Sequence, residues 1–161
     1  MAKRTYLPAQ LDDIDMAILA HLRENAKDPL QKVAKEVGIH HNTMIQRVKR
    51  LEKEGTIKKY VAEVDYGKAG LDLHVAILMK VRRGRPGDRV QLDDLLAMKE
   101  LEALYAITGM WDVLSLWRVR NREQLNELLK KIADSPSITK TVTHLILHPY
   151  KNPRDYNPFR N

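Results

Sequence analysis

The sequence predicts an α+β chain: an N-terminal helix-turn-helix domain, winged-helix-like, followed by a C-terminal ferredoxin-like βαββαβ domain. Three observations carry the prediction. Three short segments within the first 54 residues each space their apolar positions with a helical period. Residues 57–66 then switch to loose alternation with β-branched and aromatic residues, the pattern of a strand leaving a domain. From residue 73 onward, strand-like and helix-like segments follow one another in the order β-α-β-β-α-β.

The first helix is announced by Leu11-Asp12-Asp13-Ile14-Asp15-Met16. Asp12 is placed to cap the free N–H groups, the acids suit the positive end of the helix dipole, and Leu11 can staple onto Met16. Ile14, Ile18, Leu19 and Leu22 make one apolar stripe, which ends at Asn25-Ala26-Lys27. Asp28-Pro29 opens the second helix, with Pro29 expected at its first position and Gln31 where a capping box wants it. Leu30, Val33, Ala34 and Val37 face inward, and Gly38 stops the helix. The third helix starts near His40 or His41 and runs to about Glu54, burying Met44, Ile45, Val48 and Leu51.

Beyond the connector at Gly67–Asp72, residues 74–82 read as a strand, 88–100 as a helix, 103–108 and 112–120 as two strands, 122–133 as a helix capped by Asn121, and 138–148 as the last strand. The strand at 74–82 is apolar on one face through Val75, Ile77, Met79 and Val81, yet its other face carries Ala76 and Leu78. Residues 112–120 repeat this, with Val113, Trp117 and Val119 on one side and Leu114 and Leu116 on the other. Two helices cover one face only, so a second subunit packed sheet to sheet is the expected cover for the other. The tail HPYKNPRDYNPFRN has three prolines and no periodicity, which predicts an extended, poorly ordered end.

Composition narrows the function. The chain has 161 residues, 43% hydrophobic and 30% charged, enough for two small cores. It has no cysteine, which excludes disulfides, thiolate nucleophiles and cysteine metal sites. No apolar run reaches membrane-spanning length and MAKRTYLPAQ is no signal peptide, so a soluble, cytoplasmic protein without a membrane partner is expected. The net charge of +7 suits a polyanion. Its distribution is uneven: residues 1–66 hold 12 Lys/Arg against 10 Asp/Glu, while residues 67–161 hold 16 against 11. Within 39–60, however, six bases (Arg47, Lys49, Arg50, Lys53, Lys58, Lys59) face two acids.

That local patch points to double-stranded DNA. Two helices joined tightly need a small residue at their approach, here Ala34, and a residue tolerant of positive φ in the turn, here Gly38. Opposite the buried face of the third helix stand Thr43, Gln46, Arg47 and Arg50, spaced to reach one groove together. Gln suits adenine, Arg suits guanine, and Thr suits a thymine methyl or a phosphate. Lys49, Lys58 and Lys59 read as phosphate contacts, and His40, His41 and Asn42 stand at the end that enters the groove deepest. The bland alternative is a three-helix bundle with a solvated polar face.

The segments LDDIDMAILAHLRENA, KVAKEVGI and TMIQRVKRLEKEGTIKKY, followed by ITGMWDVL and ITKTVTHLIL, resemble the landmarks of the Lrp/AsnC (feast/famine) family, in the same order and over nearly the whole chain. The resemblance implies a transcriptional regulator that is a homodimer assembling to an octamer or another higher oligomer, with an amino acid or similar small molecule as effector. It implies a domain plan of 1–56 (DNA-binding, with an N-terminal arm), 57–72 (hinge strand and linker), 73–148 (effector and oligomerisation) and 149–161 (tail). It also implies an effector site at the turn Thr108-Gly109-Met110-Trp111-Asp112, joined by Thr141 and Thr143 of the last strand. There Gly109 allows close backbone approach and Asp112 can balance an ammonium; the competing use of Asp112 is to cap local N–H groups. Three departures stand out: His40 where the family commonly has Ser, Lys59 where Gly is frequent, and the bulky Trp111.

No cofactor, metal or catalysis is expected. His40 and His41 diverge by ~100° on a helix, and His144 and His148 lie ~13 Å apart along a strand. Siroheme decarboxylases share the two-domain plan and carry a His-Asn-Tyr cluster, where this chain has Ala103-Leu104-Tyr105. An architectural DNA-binding protein with little sequence preference and no effector is the alternative to a sequence-specific regulator.

Overall fold

The computed structural model describes residues 11–82, 92–152 and 155–159. In chain order the elements are α1 (Asp13–Glu24), α2 (Leu30–Val37), α3 (His41–Lys53), β1 (Leu73–Val81), α4 (Asp93–Leu96), β2 (Leu101–Ala106), β3 (Val113–Val119), α5 (Arg122–Ala133) and β4 (Ile138–Leu145). They form two compact units, one of residues 1–63 with 151–161 and one of residues 64–150.

In the first unit, α1 opens on a capping box. The Asp12 carboxylate accepts the Asp15 N–H at 2.8 Å, and the Asp15 carboxylate accepts the Asp12 N–H at 3.2 Å. The apolar faces of three helices then meet: Ile18, Leu19 and Leu22 from α1, Val33 and Ala34 from α2, and Met44, Val48 and Leu51 from α3. His21 ties α1 to α2 and the loop before it, its ring nitrogens 2.9 Å from Asp28 and 3.0 Å from Glu36. Pro29 stands at the N-cap of α2 rather than at its first helical position, and no side chain, Gln31 included, caps that helix. Gly38 ends α2 with φ +78°, a left-handed conformation that glycine adopts without the Cβ penalty.

The second unit is a four-stranded antiparallel sheet in the order β2-β3-β1-β4. One face is the core: Val75, Ile77, Met79 and Val81 of β1 and Val113, Trp117 and Val119 of β3 pack beneath Leu95 of α4 and Leu128 and Ile132 of α5. Inside it the buried Ser115 hydroxyl donates to the Ile77 carbonyl at 3.0 Å and accepts from the Trp117 indole N–H at 2.7 Å, so the polar atoms of both side chains are satisfied. On the opposite face the register aligns Tyr105, Leu114, Leu78 and Val142 in one row and Ala103, Leu116 and Ala76 in the next. Tyr105 there is 52% exposed.

Two expected elements differ. Residues 57–65 form no strand, because alternation stabilises a strand only beside another and, among the described residues, no strand pairs with this stretch. Instead Tyr60 is held on α3 by a 2.8 Å hydrogen bond to Glu52, and burial together with that carboxylate pushes the phenol pKa up to about 12. The helix expected over 88–100 is a single turn, Asp93–Leu96; residues 88–91 lie outside the described set, and Met98 to Glu100 already turn into β2.

A titratable cluster lies where β1 begins and β3 ends. His74 is 3.0 Å from Glu102, which also accepts from Arg118 at 2.9 Å, while the Arg118 guanidinium lies 4.6 Å from the centre of the Tyr66 ring. Burial first, and the Arg118 charge second, lower the His74 pKa below its ordinary 6.5, against the pull of Glu102. The folded chain therefore binds this proton less readily than the unfolded chain, and stability is lost as the pH falls below 6.5 toward the depressed value. Urea midpoints measured from pH 7.5 down to pH ~5 should fall for the parent protein, and His74→Gln should flatten that part of the profile. An unchanged slope in the variant assigns the effect to another group.

Candidate nucleic-acid interface and ligand turn

α3 is the helix that carries the expected DNA contacts. The chain enters it through Gly38 and Ile39, whose N–H bonds the Ala34 carbonyl at 2.9 Å, closing the α2–α3 turn on the small residue. His40 is the N-cap and makes no side-chain capping bond, so the first-turn N–H groups of α3 have no side-chain acceptor at the cap. His41, Asn42, Thr43, Gln46 and Lys49 are exposed along α3, and so is Lys53, which sequence reasoning counted as charge but did not place in the site. Their spacing at 42, 46, 49 and 53 follows the helical period along one edge. Lys58 and Lys59 are exposed just beyond.

Arg47 and Arg50 take a different part. The Arg47 Nη1 donates to Asp12 (2.7 Å) and to Asp15 (2.9 Å), and the Arg50 Nη2 donates to Asp15. Asp15 is fully buried and Arg47 mostly so, whereas 43% of the Arg50 side chain stays exposed. Arg47, by hydrogen bonding, holds the Asp12 carboxyl below its usual range. Arg47 and Arg50, one helical turn apart on α3, both reach the carboxylates that start α1. These two arginines fasten α3 to the start of α1, and the only trace in the sequence was the pair of acids at 12 and 15 and two bases three apart on α3.

The turn between β2 and β3 is tightly organised. The Ile107 N–H bonds the Asp112 carbonyl (2.9 Å), and the Asp112 N–H bonds the Met79 carbonyl (3.0 Å). Gly109 has φ +106°, and the space where a Cβ would stand is open. Thr108, Gly109 and Met110 are exposed, and Trp111 is partly covered with the Lys140 ammonium 5.8 Å from its ring centre. The Asp112 carboxylate accepts the Val81 N–H (3.2 Å) and lies 3.8 Å from Lys80. It thus ties the turn to the neighbouring strand β1, a bracing role different from the capping of the turn's own N–H groups that sequence reasoning weighed against ligand binding. Thr141 shares a transverse row with Met79 and Val113 at the turn's end of the sheet, while Thr143 lies a row pair further away opposite Ile77. His148 lies past the end of β4, its ring edge-on to Tyr150 at 5.1 Å between centres.

A separate cleft of about 450 Å³ lies at the other end of the β2–β3 pair, lined by Tyr66, Leu71, Lys99, Leu101, Arg118 and Gln124 among others. Among the described residues no cluster of three or more histidine or acidic side chains is placed to hold a metal ion, and no helix is long and apolar enough to cross a membrane.

The clamp makes a direct prediction. Asp15→Ala strands two guanidiniums that stay partly solvated, which places the loss near the low end for a broken buried pair, about 3 kcal/mol. Urea unfolding followed by far-UV circular dichroism measures it, and a loss under ~1 kcal/mol would reduce the clamp to a surface pair.

Comparison with known proteins places this geometry. An AsnC-type helix-turn-helix domain model matches residues 11–52, and an Lrp/AsnC ligand binding domain model matches residues 75–156. The HTH-type transcriptional regulator FL11 of Pyrococcus furiosus is 32% identical over 141 residues, 88% of this chain and 92% of that one. Its counterpart in Pyrococcus abyssi is 31% identical with the same coverage. Among solved structures, the feast or famine regulatory protein of M. tuberculosis, complexed with L-methionine, superposes with a TM-score of 0.81 at 25% identity, over 92% of this chain and 99% of that one. A transcriptional regulator of Neisseria meningitidis in an L-Met complex shares the fold, with a TM-score of 0.83 at 20% identity and coverage of 88% and 93%. A reading helix clamped on its neighbour, a ferredoxin-like sheet and two matching domain models lead to one conclusion: the chain belongs to the Lrp/AsnC family of transcriptional regulators, not to an enzyme family.

Proposed function

We propose that the chain recognises specific double-stranded DNA sites through the exposed edge of α3 and answers to an amino acid by a change in assembly. The observation that carries the reading is the division of labour on α3. Arg47 and Arg50 turn inward to Asp12 and Asp15, and a continuous outer edge of Asn42, Thr43, Gln46, Lys49 and Lys53 is left to the solvent. On that edge Asn42 and Gln46 have the paired donor and acceptor that suit adenine, and Thr43 suits a thymine methyl. Lys49, Lys53, Lys58 and Lys59 contact phosphates, as do the first-turn N–H groups of α3 together with His40 and His41. Arg50, only partly engaged by Asp15, can still turn donors outward; Arg47 acts by holding the helix in place.

The two functions on α3 separate experimentally. Lys49→Ala should reduce the slope of log affinity against log salt by about 1 and weaken all DNA sequences alike, whereas Gln46→Ala should remove about 1–3 kcal/mol of discrimination at one base pair. Binding titrations at several salt concentrations on an operator selected from random DNA make the measurement. Footprints that spread without a preferred site, unaffected by Gln46→Ala, would favour an architectural role.

The amino-acid reading is supported by the ligand-binding domain model and by the methionine complex of the M. tuberculosis relative. The turn 108–112 with Thr141 is the proposed site, and Thr143 stands beside it as a more distant wall. Because Asp112 already caps Val81 and faces Lys80, it orders the turn, and ligand carboxylate recognition falls to backbone N–H groups near Gly109. Assembly as a homodimer, extending to an octamer or another higher oligomer, is supported by the half-buried apolar rows on the open sheet face. Screening the twenty amino acids by thermal shift identifies the ligand by linkage. Asp112→Ala should then abolish the ligand-induced change in oligomer size seen by sedimentation velocity. Should the response persist, the cleft beside Tyr66 and Arg118 becomes the better site.

A further inference from the structure

The end of the chain reads as a loose proline-rich tail, but its last described residues are packed. Asp155 closes a turn on Asn152 through bonds of 2.9 and 3.0 Å. The Tyr156 carbonyl then accepts from Arg23 of α1 at 2.5 Å. The Asn157 side-chain amide donates to the Ala20 carbonyl at 2.9 Å and to the Glu24 carboxylate at 3.3 Å, and its oxygen accepts the Phe159 N–H at 3.3 Å. Phe159 joins the apolar cluster of the three helices. With Pro158 it borders a groove of about 540 Å³ whose floor is Met16, Ala17, Ala20 and Val37. Small residues at 17 and 20 leave room beside α1, and the tail's ring and its neighbouring proline stand at that room.

From this we propose that Tyr156–Phe159 is a strap, that the α1–α2 groove is the docking site for this chain's own C-terminus, and that the strap couples the end of β4 to the DNA-reading helix. The coupling rests on what α1 carries. Its second half holds the strap through Ala20, Arg23 and Glu24, and its first turn holds α3 through Asp12 and Asp15. The strap comes after β4 and the ten residues 146–155, so the 57–72 connector joins the two units covalently and the strap adds a second, non-covalent tie from the end of the second unit's chain to α1. Strap and clamp sit on the two halves of one helix, with Asp15 and Ala20 about 7.5 Å apart along its axis. Fastening or releasing the strap shifts how firmly α1 presents Asp15 to Arg47 and Arg50. The coupling half rests on the reading of α3 as the DNA-contacting helix; the docking half does not.

Hydrogen exchange on the full-length protein tests the docking. Phe159→Ala, and separately a chain ending at Asn152, should speed exchange of the amides of residues 17–24 about tenfold while leaving β1 and β3 unchanged. A synthetic peptide of residues 151–161 should restore protection to the shortened chain, and the same peptide with alanine for Phe159 should not. Unchanged exchange of residues 17–24 in both variants, or equal rescue by both peptides, overturns the strap. Protection in the parent protein that disappears on dilution, in step with dissociation of copies, assigns the groove to a neighbouring chain's tail and overturns the assignment to the chain's own end. For the coupling, Phe159→Ala should lower operator affinity about threefold at constant oligomer size; faster exchange with unchanged affinity overturns coupling alone. Failure of the DNA reading has a different signature, in which Lys49→Ala and Gln46→Ala leave operator binding intact.

Discussion

The first unit depends on one buried carboxylate. Asp15 is fully inaccessible, and a lone charge there would be strongly disfavoured. It is stable because its oxygens accept from Arg47, from Arg50 and from the Asp12 N–H, so the charge is neutralised and its lone pairs are engaged. Such a network contributes more to specificity of arrangement than to net stability, since apolar residues of the same volume would cost less to bury. What it specifies is the rotation of α3. A helix held only by Met44, Val48 and Leu51 could roll on a greasy contact, whereas two guanidiniums directed at one carboxylate fix which edge faces outward. The chemistry left on the outer edge is then set: amide and hydroxyl side chains near the start of the helix and lysines toward its end.

The second unit shows a related economy at its turn. Asp112 looks in sequence like a ligand for an ammonium, yet it accepts the Val81 N–H beside the bulge where β1 meets β4 and stands near Lys80. A carboxylate so engaged shapes the turn. What remains exposed there is Gly109, where no Cβ covers the backbone, with the side chains of Thr108 and Met110 on either side. In the proposed ligand reading, discrimination among amino acids falls to neighbouring surfaces such as Trp111, Met110 and the threonines of β4, or to a second copy.

Periodicity made the helices of the first unit and the strands of the second legible because burial there is one-sided. Ile18, Leu19 and Leu22, or Val75, Ile77 and Met79, are buried at the spacing their backbone imposes. What was illegible depends on partners remote in sequence. Arg47 and Arg50 lie on the polar edge of α3 and read as solvent-facing, since nothing within the helix reveals carboxylates 32 and 35 residues earlier. Alternation over 57–66 reads as a strand, but a strand is a property of two segments, and among the described residues this one has no partner. Leu92, Leu95, Leu96 and Met98 have helical spacing, yet only one turn forms before β2 takes over. The tail failed for the same reason as the arginines: Asn157 meets Ala20 across 137 residues, and a proline-rich composition argues only against regular structure, not against docking.

α1 therefore carries a larger role than its position in a helix-turn-helix suggests. It contributes nothing to the outer edge of α3, yet the ion pairs of Arg47 and Arg50 both end on its first turn. The capping box that starts α1 uses the same two carboxylates that receive Arg47 and Arg50, so fraying of its first turn and loosening of α3 are one event. At its other half Pro158 and Phe159 border the groove between Ala17 and Val37. A short helix of 12 residues is marginal alone and draws its stability from packing, so contacts at one end raise the population in which the other end is formed. Helix-coil cooperativity along α1 is then sufficient to link a contact at Ala20 to an ion pair at Asp15, without any change in how α3 itself is built.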